Sequence, residues 1–313
     1  MSDIVFLGTP GIACPFLHEL VDRNLKVKAV ITQPDRLAGR GLSLVCPAVK
    51  TEAQSLSIPV FQPRNSAELY ETIKSLKPQM ALVVAYGKLL KKDILEMVPL
   101  GFINAHFSLL PKYRGAAPVR RALLNGERET GITVFKIDEG MDTGPVILSR
   151  KLEIGEDENS ISLFMRLSEI GKKALADAAD MIFSGKAVYT PQTGEASYAP
   201  KIEAADTFIN FNQPVSKIYN AIRAFSFDPR ARFSSPSGTT VQILSARPAP
   251  GFVSELAPGF LAGFENGRGI FIKCQDGALF VERVKPEGKK EINACDFFIN
   301  GKRFKKGDKI SND

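Results

Sequence analysis

Tryptophan is absent from this 313-residue chain, and histidine occurs only twice, as His18 and His106. Four cysteines, Cys14, Cys46, Cys274 and Cys295, lie far apart and form no C-x-x-C pair. With so few imidazoles and no paired thiols, neither a zinc site nor a disulfide framework is expected, and the site is expected to work without metal. Long apolar runs are missing too: none approaches the roughly 18 residues that mark a membrane span. Met1-Ser2-Asp3 leads straight into Ile4 to Leu7, without a basic segment or a small-residue cleavage site, which reads as a cytoplasmic protein with no membrane partner. There is no internal repeat or low-complexity tract, and no pattern suggests an interface, so a monomer is expected.

What is present suits a globular protein. A hydrophobic content of 44% over this length allows two domains with sizeable cores. The net charge of +7 is modest but uneven: residues 206–313 hold 16 Lys and Arg against 11 Asp and Glu, which is most of the excess. A basic module beside a nearly neutral one suits a polyanionic partner, because phosphate neutralisation dominates nucleic-acid affinity. Charge alone supports a merely solvated surface equally well.

Ile4 to Gly8 is an apolar run ended by glycine, and the next segment places Phe16, Leu17, Leu20 and Val21 on one helical face. The alternation continues through Val27 to Thr32, Ala48 to Leu56, Val60-Phe61, Ala67 to Leu76 and Met80 to Ala85. Apolar strands alternating with helices predict a doubly wound, mainly parallel, Rossmann-like α/β sheet covered on both faces. Gly101 to His106 reads as a further strand; its carboxyl end, where such sheets bind ligands, carries Asn104 and His106. A long helix from about Ile161 to Phe183 closes a domain over residues 1–188. Residues 189–206, rich in breakers such as Pro191, Gly194 and Pro200, read as a linker. In residues 207–313 one helix at Val215 to Phe225 precedes β-rich runs at Thr239 to Leu244, Gly269 to Cys274 and Ala278 to Val284. Short strands between Gly and Pro turns, with a basic balance, predict a smaller OB-like β-barrel.

The stretch Asn104-Ala105-His106-Phe107-Ser108-Leu109-Leu110-Pro111-Lys112-Tyr113-Arg114-Gly115, followed by Asp138-Glu139-Gly140-Met141-Asp142-Thr143-Gly144, carries the chemistry. It joins an amide, an imidazole and a carboxylate, the groups that stabilise an oxyanion and move a proton in acyl transfer. Asn104 and His106 stand two apart on a strand, so their side chains share a face and can converge on one reacting atom. Asp142, in a glycine-flanked turn, is free to reach the imidazole and hold its cationic form. His18, among Phe16, Leu17 and Leu20, reads instead as structural or surface. Gln33 to Pro47 is the other outlier, about 15 residues joining a strand to a helix where two to six are usual. Arg36 and Arg40 stand there with only Asp35 opposing them, and Gly39 and Gly41 permit close backbone approach. That composition suits phosphates or base edges, and equally a mobile surface loop.

Asn104-x-His106 with Ser108-Leu109-Leu110-Pro111-x-Tyr113-Arg114-Gly115, and Asp142 within Asp-x-Gly-x-Asp-Thr-Gly, resembles the 10-formyltetrahydrofolate-dependent formyltransferases. Gly8-Thr9-Pro10, Thr32-Gln33-Pro34-Asp35-Arg36, Val84-Ala85-Tyr86-Gly87 and Gly115-Ala116-Ala117-Pro118 are similar to the branch that acts on aminoacylated initiator tRNA, and the likeness spans essentially the whole chain. The resemblance implies transfer of formyl from 10-formyltetrahydrofolate to the α-amino group of methionyl initiator tRNA, for translation initiation. It implies catalytic roles for Asn104, His106 and Asp142. Ser108, Leu109, Leu110 and Pro111 become the folate segment, and Tyr86, Leu89 and Leu90 line the pterin pocket. Arg36 and Arg40 contact the acceptor stem, while Lys302, Arg303 and Lys305 hold the tRNA body.

Three positions depart from the family pattern. Phe107 stands where glycine is common, Gly11-Ile12 where an acidic residue and phenylalanine are usual, and Phe225-Ser226-Phe227-Asp228-Pro229 where a segment with Pro and Trp is usual. Two other functions compete. One is a folate-dependent formyltransferase acting on a small amine, such as glycinamide ribonucleotide or an amino sugar nucleotide; the other is an RNA-binding relative without catalysis. The arginine loop and basic C-terminal module argue against the first, and the retained Asn104, His106 and Asp142 against the second.

Overall fold

The computed structural model describes residues 3–38, 43–301 and 303–311. The chain divides into two compact units. Met1–Pro118, Glu129–Glu153 and Phe164–Pro200 make the first, and Val119–Arg128, Ile154–Leu163 and Lys201–Asp313 the second. In chain order the elements begin β1 (Ile4–Gly8), α1 (Cys14–Asp22), β2 (Val27–Ile31), β3 (Arg36–Ala38), β4 (Ser43–Val45), α2 (Ala48–Ser55), β5 (Val60–Phe61) and α3 (Ser66–Leu76). They continue β6 (Met80–Val84), α4 (Lys92–Leu95), β7 (Phe102–His106), α5 (Pro118–Leu124), β8 (Glu129–Lys136), β9 (Val146–Glu153), α6 (Ser160–Phe183) and α7 (Val215–Ala224). The chain finishes with β10 (Arg232–Ser234), β11 (Thr240–Pro248), β12 (Leu261–Glu265), β13 (Gly269–Lys273), β14 (Ala278–Pro286) and β15 (Ile292–Asn293).

The first unit is built on a seven-stranded sheet in the order β5-β2-β1-β6-β7-β8-β9. Pairings from β5 to β7 are parallel, whereas β7–β8 and β8–β9 are antiparallel. The mainly parallel, doubly wound sheet expected from the alternation is therefore present, with an antiparallel edge added. Every residue of β1 and β6 is buried, which is why both read as unbroken apolar runs. Helix α1 carries Pro15 in its first turn, where the missing N–H has no partner to lose, and buries Phe16, Leu17 and Leu20. Asn65 starts α3 by accepting the Glu68 N–H at 2.9 Å. The strand order runs outward from β1 through β2 to β5, then restarts on the opposite side of β1 with β6. That reversal is the switch point, beyond whose strand ends open α/β sheets bind ligands. Within residues 33–47 lies the hairpin β3–β4, pairing Arg36 with Val45 and Leu37 with Leu44.

The second unit is the expected antiparallel β domain, ordered β10-β11-β14-β13-β12 with β15 on β14. Its core includes Phe211, Phe225, Phe233, Ile270 and Phe298, with Ile218 and Ile222 supplied by α7. The Trp-free segment serves this core through Phe225 and holds Arg120, which is only 7% exposed. The Arg120 guanidinium lies 3.9 Å from the Phe227 ring centroid and donates to the Asp228 carbonyl at 2.9 Å. Burial pushes that guanidinium below its ordinary pKa, and the ring face and carbonyl compensate for part of its lost hydration. Among the described residues no helix is long and apolar enough to cross a membrane.

Candidate active site

Strand β7 fixes two of the site residues by register. Asn104 pairs with Val83 on one side and Phe135 on the other, and His106 lies opposite Thr133. Both line a cavity of about 550 Å³ at the switch point, together with Asp142 and with Val83, Tyr86 and Leu90. The structure thus brings Asn104, His106 and Asp142 to one wall system.

His106 is only 6% exposed. Its Nε2 lies 2.9 Å from the Tyr113 carbonyl oxygen, which can only accept, so Nε2 carries a proton and donates. Its Nδ1 lies 3.5 Å from Asp142 Oδ2. Both ring nitrogens therefore face acceptors, and the doubly protonated ring satisfies both at once. Asp142 Oδ2 is held in turn by the Gly115 N–H at 2.8 Å. The Asn104 amide makes no hydrogen bond among the described residues, which leaves its donors and acceptor to the cavity.

The backbone around these groups is strained. Ala85, Tyr113 and Asp142 have φ of 48°, 59° and 53° without being glycine. Left-handed non-glycine residues gather at functional sites because surrounding contacts hold them there. The motif glycines answer to close approach. A Cβ on Gly144 would stand 1.8 Å from the Lys136 carbonyl, and Gly115, at φ 116°, would place one 2.9 Å from the Ala199 carbonyl. Asp138 closes the turn before Asp142 by accepting the Thr143 hydroxyl at 2.6 Å and the Gly140 N–H at 3.1 Å.

Of the seven residues expected to hold the folate, Tyr86, Leu89 and Leu90 line the cavity, with Leu89 77% exposed. Ser108, Leu109, Leu110 and Pro111 are not among the lining residues. Their contacts instead fix the strand exit: the Ser108 hydroxyl donates to the Lys112 carbonyl at 2.6 Å, and the Leu110 N–H donates to Thr133 Oγ1 at 3.0 Å. Thr133 Oγ1 itself donates to the Ser108 carbonyl at 2.7 Å. The Phe107 ring, one of the departures from the expected pattern, packs between Phe16 and Phe164 at centroid distances of 6.0 and 5.9 Å and is 7% exposed. Ile12, another departure, also lines the cavity. Burial pushes the Tyr86 phenol up to about 12, and its hydroxyl has no hydrogen-bond partner among the described residues. Lys88, on the cavity wall, donates to the Pro63 carbonyl at 2.7 Å; burial and then the Arg36 guanidinium lower its ammonium pKa.

Arg36 is exposed on β3 and donates to the Gln33 side-chain oxygen. Arg303 and Lys305, in the second unit, are exposed, and the Arg303 guanidinium stacks 4.6 Å from the Phe297 ring centroid. Arg40 and Lys302 lie outside the described residues. Sequence reasoning missed Thr133, Asp138 and Gln192, which support the site without lining it or, for Asp138, while contributing to its wall. The spacing of Asp138 from Gly140 and Thr143 was a legible turn signal; Thr133 and Gln192 carried none. The four cysteines are free thiols.

A doubly wound sheet that presents an amide, an imidazole and a carboxylate at its switch point defines an α/β enzyme equipped for acyl transfer. The formyl transferase family profile matches residues 2–179, the profile of the formyl transferase C-terminal domain matches residues 201–303, and the chain belongs to this family. It is 42% identical over 293 residues to the methionyl-tRNA formyltransferase of Kosmotoga olearia, covering 92% of this chain and 93% of that one. It is 40% identical over 308 residues to that of Thermodesulfovibrio yellowstonii, covering 98% of each. Among solved structures, the N-formyltransferase from Helicobacter canadensis in complex with folinic acid and dTDP-3-aminofucose aligns with a TM-score of 0.69 at 23% identity, over 90% of this chain and 99% of that one. The methionyl-tRNA formyltransferase from Clostridium thermocellum aligns with a TM-score of 0.58 at 21% identity, over 80% and 95%. These two likenesses establish the shared fold.

Proposed function

We propose that this enzyme transfers the formyl group of 10-formyltetrahydrofolate to the α-amino group of methionyl initiator tRNA. The reading rests on the convergence of Asn104, His106 and Asp142 on one cavity, in a chain 40% identical along nearly its whole length to a methionyl-tRNA formyltransferase. The folate fits this site. Val83, Leu90 and Ile137 give the cavity apolar walls, and the free Asn104 amide gives it a directed polar group. When bound, the folate supplies the formyl carbon. Asn104 then donates to the formyl oxygen as the amine adds, and the His106 ring, with its Nδ1–H on Asp142, sets positive charge beside the oxygen where negative charge develops. The Nε2–H stays on the Tyr113 carbonyl and holds the ring still. Asp142 Oδ2 faces the ring at 3.5 Å; it takes the proton released by the attacking amine through water and returns it to N10 of the folate as the carbon–N10 bond breaks, so that neutral tetrahydrofolate leaves and the carboxylate is restored.

Tyr86, Leu89 and Leu90 hold the pterin, and Ser108, Leu109, Leu110 and Pro111, fixed just beyond the strand that carries His106, form the folate segment. Arg36, on β3, and Arg40 contact the acceptor stem, and Lys302, Arg303 and Lys305 hold the tRNA body by phosphate contacts. The protein acts in the cytoplasm as a monomer. A small amine acceptor is not favoured, because it leaves Arg36, Arg40 and the basic second unit without a role. Single-turnover formylation of methionyl-tRNA by His106→Ala tests the roles: transfer falls by about 10² to 10³ with tRNA affinity nearly intact. Unchanged transfer would overturn them. Transfer by the unmodified enzyme to glycinamide ribonucleotide or an amino sugar nucleotide, but not to methionyl-tRNA, would overturn the acceptor.

A further inference from the structure

We infer that Gln192 is a positioning residue for Asp142, acting on the reaction through the turn that carries the carboxylate. The inference rests on the catalytic roles of Asp142 and His106 given above. Gln192 lies in the breaker-rich stretch expected to link two domains, yet its side chain is bonded into the first unit. Its Nε2 donates to the Asp142 carbonyl at 2.8 Å and to the Gly144 carbonyl at 2.9 Å. Its Oε1 accepts from Arg114 Nη2 at 2.7 Å and from Arg114 Nε at 3.2 Å. All four hydrogen-bonding positions of the carboxamide are therefore filled by two segments: the 142–144 turn and the arginine of the 113–115 loop.

Those two segments control the imidazole. The 113–115 loop supplies the Tyr113 carbonyl to His106 Nε2 and the Gly115 N–H to Asp142 Oδ2, and the turn presents Asp142 to His106 Nδ1. The main chain around Gln192 reinforces the tie. Ser197 Oγ accepts the Tyr113 N–H at 2.9 Å, the Ser197 carbonyl accepts the Arg114 N–H at 2.9 Å, and the Ala199 N–H donates to the Arg114 carbonyl at 2.7 Å. Asp142 sits at φ 53°, in the left-handed region that non-glycine residues seldom adopt and that surrounding bonds hold here. Gln192 supplies two of those bonds. Because Gln192 is not among the residues lining the cavity, its loss moves the carboxylate without removing a substrate contact.

Steady-state kinetics of Gln192→Ala and Gln192→Glu test this. A shift of about 1 Å in a reacting group costs on the order of 10²-fold, so kcat falls by about that factor in both, with KM for folate donor and methionyl-tRNA within about twofold of the unmodified enzyme. Gln192→Glu keeps the bond to Arg114 but turns a carboxylate toward two carbonyls, so it is impaired at least as much as Gln192→Ala; it also carries the test if the alanine variant fails to fold. In an Asp142→Asn background, Gln192→Ala costs less than about threefold more, because both changes act on one carboxylate. A Gln192→Ala kcat within about threefold of the unmodified enzyme, or losses that multiply in the double variant, overturns the inference. Full activity in Asp142→Asn alone would instead remove Asp142 from catalysis and the inference with it. An impaired Asp142→Asn beside a fully active Gln192→Ala overturns the inference only.

Discussion

Thr133 offers a sharp test of how the site is held, because its hydroxyl and its methyl make opposite predictions. The residue is fully buried on β8, directly across from His106. Its Oγ1 donates to the buried Ser108 carbonyl at 2.7 Å and accepts the Leu110 N–H at 3.0 Å. Thr133→Val preserves shape, volume and strand preference, so packing is nearly unchanged. What it removes is the partner of one buried acceptor, of one part-exposed donor and, at the long distance of 3.4 Å, of the Ser149 hydroxyl, whose loss adds little. A buried group left unpaired costs about 1–3 kcal/mol, and the part-exposed N–H adds about 1, for roughly 2–4 kcal/mol in total. Thr133→Ser keeps the hydroxyl and its bonds and loses one methyl, worth about 1 kcal/mol. The stability order is therefore threonine, serine, valine, whereas burial of apolar surface alone would put valine first and serine last. Urea unfolding followed by far-UV circular dichroism measures it. Turnover follows the same order, because the two bonds fix the chain immediately beyond His106. A valine variant more stable than the serine variant would refute the reasoning.

Two further outcomes follow from the cavity wall. Phe107→Gly restores the residue common in the family but empties the space between Phe16 and Phe164, and it loses about 3–5 kcal/mol in the same unfolding experiment; a loss below about 1 kcal/mol would show that the neighbouring rings close the gap. The Tyr86 phenol is pushed up to about 12 by burial, against about 10 in an unfolded chain, so its contribution to stability is complete below about pH 10 and is lost as pH rises toward 12. Tyr86→Phe removes that alkaline slope, and because the hydroxyl has no partner it raises stability at pH 8 by about 1 kcal/mol. Thermal unfolding at pH 8 and near pH 11 checks both, and an unchanged slope would place the titrating group elsewhere.

The parallel half of the sheet was legible because β1 and β6 are buried on both faces, which leaves uninterrupted apolar runs in the sequence. The antiparallel edge was not read. Ile132, Val134 and Phe135 mark β8 as apolar, but the direction of a strand is set by the connection that leads to it and not by its own pattern. Asn104 and His106 could be placed together because two positions on one strand share a face. Asp142 could not, since its approach depends on the turn across β8 and on Gly115 donating to it. Pro191, Gly194 and Pro200 mark 189–206 as a linker because they disfavour regular ladders. Within it, Gln192, Ser197 and Ala199 make irregular bonds to Tyr113, Arg114 and the Asp142 turn. Breakers rule out a helix or central strand; they say nothing about whether the segment is packed.

The tripeptide Tyr113-Arg114-Gly115 shows why the motif is more demanding than its side chains suggest. Its main chain clamps the imidazole at both ends, with the Tyr113 carbonyl on Nε2 and the Gly115 N–H on the carboxylate that faces Nδ1. Those two backbone groups can point at one ring only if the loop reverses tightly, and it does so through φ of 59° at Tyr113 and 116° at Gly115. Glycine is needed at the second because the Ala199 carbonyl leaves no room for a Cβ. The Arg114 side chain binds Gln192 and so reaches the far side of the same turn. An amide, an imidazole and a carboxylate announce acyl transfer from composition alone. Their alignment is the work of main-chain groups, so a substitution that leaves all three side chains in place but relaxes this loop should cost turnover before it costs binding.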